Sequence, residues 1–267
     1  MKLIKSILAL ILIVAVNLTL FSCNVVSASE SEPVPDNNYE LWGSIDLDWW
    51  GKYVYPSTGV NYHDHTIFLS TITVGIEPTG IYGGIFLIYS PKGGWNSDLG
   101  DEQDYFLGYH FTLLNTEINM VYYYTVAVPF EDSVSDFHVL TLCLDFPAAF
   151  GANFYLLLEQ DIPVDKQVYE GGFLYQMGVK SAFTLPESLS GRGIDFDLSF
   201  AGHDGAYGAK KERVSSGALS ISTTFQLSEK FSITPRINFQ KRLGKRLDEG
   251  GLTQDEFWGQ LNLKILF

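Results

Sequence analysis

The residues of this sequence with the clearest chemical potential are charged side chains that recur at every second position of apolar segments. Charged groups on one face of an amphipathic strand suit a water-filled interior, where their summed potential attracts some ions and repels others. The predicted inward-facing set is Asp46, Asp48, Asp145, Glu159, Asp161, Lys180, Asp195, Asp197, Arg236 and Lys264. Because acids outnumber bases in this set, we predict an interior that weakly prefers cations. In the alternative interpretation, these charges only neutralise one another in a water-poor interior.

Two pairings are predicted within this set. If the first and last strands of the chain meet, Lys264 should lie near Asp46 or Asp48. Arg236 should lie within reach of Asp195 and Asp197, which are two predicted strands away. Such pairs would set the width and the potential of the interior.

A catalytic site is the competing hypothesis. His138 lies near Ser135, which is the least unfavourable pair of a base and a nucleophile in the chain. No Gly-x-Ser-x-Gly motif is present, and nothing resembles the serine motif of a phospholipase barrel. We therefore predict that the protein is not an enzyme, and a barrel hydrolase is the less favoured alternative.

The segment His63-Asp64-His65 is the candidate for metal binding. Side chains at positions i and i+2 of a strand share a face, whereas the two histidines here fall in a predicted loop without a third ligand or a cysteine nearby. We predict a solvated loop, and we predict no metal site and no cofactor.

The segments that would hold the charged set alternate apolar and polar side chains from Tyr39 to the C-terminus. About twelve such segments are separated alternately by long polar loops and by short turns. The first is predicted to run from Tyr39 to Pro56. The turns are predicted at Pro78-Thr79-Gly80, Asn115-Thr116, Pro147, Pro186 to Gly191 and Ser228 to Lys230.

The apolar faces of these segments decide the predicted fold class. About twelve faces rich in Phe and Tyr are too many for the two sheets of a soluble β-sandwich to bury, whereas lipid covers them directly. We predict an all-β, transmembrane, antiparallel up-and-down β-barrel over residues 39–267. An even number of strands places both termini and the short turns on the periplasmic side. Pro235 lacks an amide proton, so a bulge or a local widening is expected there.

The last strand carries a pattern of its own. Its outward face is predicted to hold the assembly signal Phe257, Leu261, Leu263, Ile265 and Phe267. This ending resembles the closing strand of bacterial outer-membrane barrels, in which a C-terminal Phe marks the chain for barrel assembly. The resemblance implies the barrel-assembly machinery as a partner.

The N-terminus has the order of an export peptide. Lys2 and Lys5 precede an uncharged apolar run, and small residues follow, so residues 1–28 are predicted to be a signal peptide cleaved after Ala28. Lipidation at Cys23 is the alternative. Residues 29–38 are polar and Pro-rich and are predicted to be a flexible lead-in.

Charge restricts the partners. The 267-residue chain has a net charge of −14, so nucleic acid is an unfavourable partner. Four cations, Lys241, Arg242, Lys245 and Arg246, cluster in the last long loop. They would suit the phosphates of lipopolysaccharide, although ordinary loop charge explains them equally.

The stretch Gly93 to Phe111 (GGWNSDLGDEQDYFLGYHF) resembles the TorF-type porins, a group of outer-membrane barrels, and the resemblance covers residues 81–126. It implies an outer-membrane channel. A barrel of about twelve strands should enclose a narrow lumen. We therefore predict a porin-like channel of the bacterial outer membrane for passive diffusion of small solutes. The alternative is a plugged, structural barrel that displays surface loops.

Overall fold

The computed structural model describes residues 39–55, 60–63, 65–90, 101–128, 136–147, 151–164, 171–186, 193–204, 212–243 and 255–267. The predicted signal peptide and lead-in, residues 1–38, lie outside the described residues, and their assignment stays a prediction. Within the described ranges, no helix is long and apolar enough to cross a membrane.

The regular elements of the described residues are fifteen β-strands, separated at positions where turn-forming or polar residues interrupt the alternating pattern. Their bounds are β1 (Glu40–Trp50), β2 (Tyr53–Tyr55), β3 (Val60–His63), β4 (Ile67–Glu77), β5 (Ile81–Tyr89), β6 (Asp101–Leu113), β7 (Thr116–Val128), β8 (Phe137–Pro147), β9 (Ala152–Pro163), β10 (Phe173–Thr184), β11 (Gly193–His203), β12 (Glu212–Ser222), β13 (Phe225–Ser228), β14 (Phe231–Arg242) and β15 (Glu256–Leu266).

Twelve of these strands close into one antiparallel barrel. Strands β4 to β12 follow one another in sequence order, β1 pairs with β4 and β15, and β14 joins β15 to β12. Closure satisfies the backbone hydrogen bonds of every strand, which a lipid-exposed sheet requires. The predicted fold class is therefore confirmed. The short strand β13 pairs with the end of β14, and β2 and β3 form a separate hairpin.

The barrel has two distinct ends, which we name the turn end and the loop end. The turn end holds the β4–β5, β6–β7, β8–β9, β10–β11 and β13–β14 connections, together with Tyr39 and Phe267. The loop end holds the longer connections, including residues 51–66 between β1 and β4. The predicted alternation of turns and loops is confirmed in order. Which end faces the periplasm stays a prediction.

Two predicted bounds were wrong. The first strand ends at Trp50 and not at Pro56, because the chain leaves the barrel wall and forms the β2–β3 hairpin. The turn after β6 comprises Leu114 and Asn115, one residue earlier than predicted; both have positive φ angles (51° and 64°), as in the tight turns favoured by hairpins. The β10–β11 connection, residues 185–192, is as long as some connections at the loop end.

The outer face of the barrel is apolar. On β1, the side chains of Leu47 and Trp49 are 41% and 44% exposed, while Asp46 and Asp48 point to the other face, towards the interior. The same alternation places Phe68, Leu107, Leu198 and other large apolar side chains outside. A soluble protein would not expose so much apolar surface to water, whereas the hydrocarbon core of a bilayer covers it.

The C-terminal residue closes the seam between the first and last strands. The backbone N–H of Phe267 donates to the carbonyl of Gly43, and the N–H of Gly43 donates to the carbonyl of Phe267, both at 3.0 Å. The Phe267 ring covers Gly43 so closely that a Cβ atom there would lie 2.4 Å from the ring. Phe267 therefore has a structural contact at closure, and its function as an assembly signal stays a prediction.

Pro235 interrupts the ladder between β14 and its neighbour. Thr223, which lies opposite Pro235, and Thr224, which lies opposite Thr234, separate β12 from β13. The register is the same on both sides of this break. The N–H of Thr223 donates to the Pro235 carbonyl at a long 3.3 Å. Of the two predicted outcomes, the bulge is therefore not observed at Pro235, and the local widening stays a prediction. A register shift does occur further along this ladder, between Gln226 and Ser228.

Candidate functional site

A cavity of about 640 Å³ begins in the turn half of the barrel, by which we mean the interior next to the turn end, and it reaches along β1 and β15 as far as Trp50 and Gln260. Strands β1, β9, β10, β11, β12, β14 and β15 supply its walls, together with the short turns beside them. Seven of the predicted inward charges line it: Asp46, Asp48, Lys180, Asp195, Asp197, Arg236 and Lys264. The uncharged polar side chains in the same wall are Asn153, Ser181, Ser220, Ser222, Thr224, Thr234, Gln260 and Asn262. Period-two alternation places these side chains on the inner face, except Ser181, which directly follows the inward-facing Lys180 and therefore belongs to the outer face.

The seam between β1 and β15 brings together residues from the two ends of the chain. Lys264 lies directly across the ladder from Asp46, and its Nζ atom is 3.6 Å from Asp46 Oδ2. The predicted proximity of Lys264 to Asp46 is thus confirmed. Ser44 donates to Asp46 Oδ2 at 3.1 Å, and Asn262 donates to Asp48 Oδ2 at 3.1 Å. Both carboxylates are therefore held in fixed orientations.

A second polar network lies on the β8–β11 side of the interior. Lys180 Nζ is 3.6 Å from Asp145 Oδ1 and 4.5 Å from the centre of the Tyr155 ring. The Tyr155 hydroxyl donates to Asp197 Oδ1 at 2.9 Å and accepts from Gln176 Nε2 at 3.0 Å. Asp145 joins the site through Lys180, although it does not line the cavity itself. The network fixes an ammonium group close to two carboxylates.

Arg236 projects from β14 between these two networks. Its positive charge acts on the carboxylates of Asp48 and Asp197. The expected proximity to Asp197 is therefore supported, and Asp195 shares the cavity wall with Arg236 without a contact between them in the described residues. Three cations and four carboxylates thus share the cavity wall, with Arg236 and Lys264 on adjacent strands between the acidic pairs of β11 and β1. Such an arrangement leaves a polar passage of mixed charge.

The loop half of the interior, next to the loop end, differs sharply. Glu159 and Asp161 are only 5% and 1% exposed and do not line the cavity. Two further carboxylates, Glu102 and Asp104, are 8% and 6% exposed on the inner face of β6. Glu102 interacts electrostatically with the other three. These acids are buried, whereas the prediction from the sequence placed its acids in an aqueous lumen.

Glu102 and Asp104 are not among the predicted inward charges, although the sequence contains a signal for Asp104. Asp104 alternates with Tyr105 and Leu107, which lie on the outer face, so its inward direction follows from period two. Glu102 lies in a run of polar residues, Asp101 to Asp104, where the sequence shows no alternation. The strand begins earlier, at Asp101, because β6 pairs with β5 and β7 that far.

Apolar side chains fill another part of the loop half. Ile67, Leu69 and Ile88 form a buried cluster against which Trp50 and Phe86 are packed. These residues occupy the inner face of β4 and β5, where a wide aqueous channel would favour polar groups. The loop half also contains an ion pair. Lys52 Nζ lies 2.6 Å from Glu256 Oε2, and the Glu256 side chain is 3% exposed. Among the described residues, the inner-face side chains of the loop half are therefore more deeply buried than those of the turn half.

The candidate catalytic and metal residues do not form a site among the described residues. His138 lies on the outer face, where its Nδ1 atom is 2.8 Å from the Tyr122 hydroxyl and its ring stacks on Tyr122. Ser135 lies outside the described residues. The His63 side chain is likewise not described, and His65 is exposed. No group of three potential metal ligands occurs within the described ranges.

Of the four cations predicted in the last long loop, Lys241 and Arg242 are described, and both lie instead at the end of β14, because pairing with β12 extends that strand to Arg242. Lys241 is paired with Asp255, and the backbone N–H of Arg242 donates to Asp255 Oδ1 at 3.0 Å. The hydrogen bond from Lys241, together with that from Arg242, lowers the pKa of the Asp255 carboxyl. Lys245 and Arg246 lie outside the described residues. Binding of lipopolysaccharide by this cluster stays a prediction, and Lys241 already has an internal counter-charge.

Comparison with known proteins identifies the fold. No protein-family model and no curated protein matches the sequence. The structure is similar to the KdgM porin, with a TM-score of 0.52 and 7% identity over 84% of this chain and 99% of that one. Two weaker likenesses, both with a TM-score of 0.49, are to the NanC porin (10% identity; 83% and 98% covered) and to an outer-membrane channel from Pseudomonas putida F1 (11% identity; 91% and 100% covered).

The fold is that of outer-membrane porins. Together with the apolar outer face, it places the chain in the bacterial outer membrane, as the sequence predicts. The prediction that the protein is not an enzyme stays a prediction. The finer resemblance to the TorF-type porins stays a prediction.

Proposed function

We propose that this barrel is a porin-like channel through which small solutes diffuse passively across the outer membrane. The observation that carries the proposal is the cavity of about 640 Å³ inside a closed barrel, lined by charged and hydrogen-bonding side chains. A barrel that served only as a membrane anchor would gain more stability from a well-packed interior than from such a cavity. Polar walls keep the cavity hydrated, and hydration is what a passage for polar solutes requires.

The test is conductance in a planar lipid bilayer, with refolded protein that lacks residues 1–28. Stepwise current increases at each insertion are expected. The same protein should show a heat-modifiable shift on gels, which proves that the barrel has formed. A heat-modifiable barrel that inserts into vesicles, as flotation would show, without any current would contradict a channel.

The channel should prefer cations weakly. Four carboxylates oppose three cations around the cavity, and a low-dielectric wall concentrates their field along the axis. The preference is modest, because screening in about 0.1 M salt acts over roughly 10 Å. Replacing Asp195 and Asp197 with Asn should move the reversal potential in a salt gradient towards zero and past it, because two carboxylates then face three cations. The matched control is Asp136→Asn, whose carboxylate accepts a hydrogen bond from Tyr124 on the outer side. Equal shifts in both variants would contradict the preference.

A plugged barrel that displays loops is the second candidate. The observation that favours it is the filled loop half, where apolar and acidic side chains of the inner face are buried. Under this hypothesis the wild-type protein carries no current. Truncation of the apolar cluster would then create conductance where none existed, which distinguishes a plugged barrel from a narrow open one.

A further inference from the structure

Four aromatic side chains on the inner face form a continuous row of neighbouring rings. Trp42 on β1, Tyr82 on β5, Phe106 on β6 and Tyr123 on β7 follow one another, with ring centres 6.4, 6.2 and 5.6 Å apart. Trp42 and Tyr82 lie near the turn end, and Phe106 and Tyr123 lie near the middle of their strands. We name these four residues the aromatic row. It leads from the turn end towards the middle of the lumen.

Glycines make room for the rings against the wall. Gly75, Gly108 and Gly84 lie across the ladder from Trp42, Tyr82 and Phe106, respectively. A Cβ atom would lie 2.3 Å from the Trp42 ring at Gly75, 2.2 Å from the Tyr82 ring at Gly108 and 2.7 Å from the Phe106 ring at Gly84. Each of these rings therefore covers a bare stretch of backbone and turns its other side to the lumen.

The aromatic row is held in position and remains accessible. The Tyr82 hydroxyl donates to Asn119 Oδ1 at 2.6 Å, which fixes the ring. All four rings are half-buried, in contrast to the fully buried side chains of the loop half. An aromatic ring that is fixed and partly exposed offers a flat apolar surface at little loss of conformational entropy.

The strands across the lumen offer the complementary chemistry. The cavity wall on β9 to β15 presents amides and hydroxyls, among them Asn153, Ser220, Thr234 and Gln260. Lys264, one of the cations in this wall, is paired with Asp46 at 3.6 Å. The excess of carboxylates disfavours anionic solutes. An uncharged molecule with an apolar face and a rim of hydroxyl groups would match both sides of this interior.

We propose that the aromatic row is a stacking path for neutral saccharides, along which the sugar rings slide through the channel. This inference rests on the proposed channel function and specifies its solute. A pyranose ring has an apolar C–H face, which packs on aromatic rings, and an equatorial rim of hydroxyls, which hydrogen-bonds to amides and carboxylates. The spacing of the aromatic rings is comparable with the length of one pyranose unit, so successive units of a linear saccharide contact successive rings.

The experiment uses the refolded barrel and maltohexaose, a neutral linear glucan, as the probe. Titration calorimetry in detergent measures binding without any need for current, and bilayer recording measures reversible blockade of the open channel. Polyethylene glycol of matched size is the control solute, because it fills the lumen without rings that can stack. Wild-type protein should bind and be blocked by the glucan and not by the polymer.

Substitutions in the aromatic row test whether its rings bind the glucan. Phe106→Leu keeps an apolar side chain but removes the flat ring, and it should raise the dissociation constant about tenfold, as expected for loss of an aromatic stacking contact. Phe106→Tyr keeps the ring and should bind as the wild type does. Tyr105→Leu, at the adjacent position on the outer face, is the matched control and should leave binding unchanged. Heat-modifiable migration shows that each variant has folded.

The outcomes separate this inference from the channel itself. Glucan binding that Phe106→Leu weakens supports the stacking path even if no current is found, and in that case only the channel proposal fails. An open channel that neither binds nor is blocked by maltohexaose overturns the stacking path and leaves the channel intact. Equal blockade by glucan and polymer, or equal loss in Phe106→Leu and Tyr105→Leu, also overturns it.

Discussion

The turn half and the loop half of the lumen are built from the same alternating strands, yet they are filled in opposite ways. In the turn half, charges such as Lys264 and Asp46 remain partly exposed around a cavity. In the loop half, Ile67 and Ile88 are buried, as is the carboxylate of Asp161. The difference shows that alternation along a strand predicts only whether a side chain points into the barrel, and not whether it is solvated there. Whether that direction leads to water or to a packed interior depends on what the opposite strands contribute.

The ion pairs of the two halves should differ most in their contribution to stability. Lys52→Met removes the ammonium group next to the Glu256 carboxylate, which is 3% exposed, and should reduce the free energy of unfolding by about 2–3 kcal/mol, because a buried charge loses its counter-ion. Urea titration of the barrel in lipid vesicles would measure this change. A loss below about 0.5 kcal/mol, typical of exposed pairs, would show that the two halves are solvated alike.

The apolar cluster should limit both stability and flow. Ile88→Ala should reduce the free energy of unfolding by about 2–4 kcal/mol, because it leaves a cavity in a packed cluster. It should also raise the conductance, since the narrower of two segments in series determines the total resistance. Gln260→Ala in the wall of the wider turn half is the control and should change conductance less. If Gln260→Ala has the larger effect on current, the constriction lies in the turn half.

The smallest effect on stability is expected for Lys264→Met. Its pair with Asp46 is partly solvated, with side chains 44% and 21% exposed, so the loss in unfolding free energy should stay below about 1 kcal/mol. The reversal potential should nevertheless move towards stronger cation preference, because Asp46 keeps its charge. Salt-gradient recordings beside the urea titration would measure both quantities. A large loss of stability without a change in selectivity would mean that this pair is buried and remote from the ion path.

The comparison of the halves also explains which parts of the site could be predicted. Alternation is local, so the sequence alone was sufficient to place Asp46, Asp48, Asp195 and Asp197 on the inner face. Burial is not local. Glu159 and Asp161 were assigned to the same aqueous wall by the same alternation, and only the packed loop half shows that they are withdrawn from the cavity.

The sequence by itself determined the barrel, its twelve strands and the direction of its side chains, because period two and the need to cover apolar faces act within each strand. The tertiary structure decided the register, and with it every contact between distant strands. Closure brings Lys264 opposite Asp46 across the seam, and register places Trp42 over Gly75 and Tyr82 over Gly108. The physical reason is that tilt and stagger are properties of the closed barrel as a whole, and no single strand carries them.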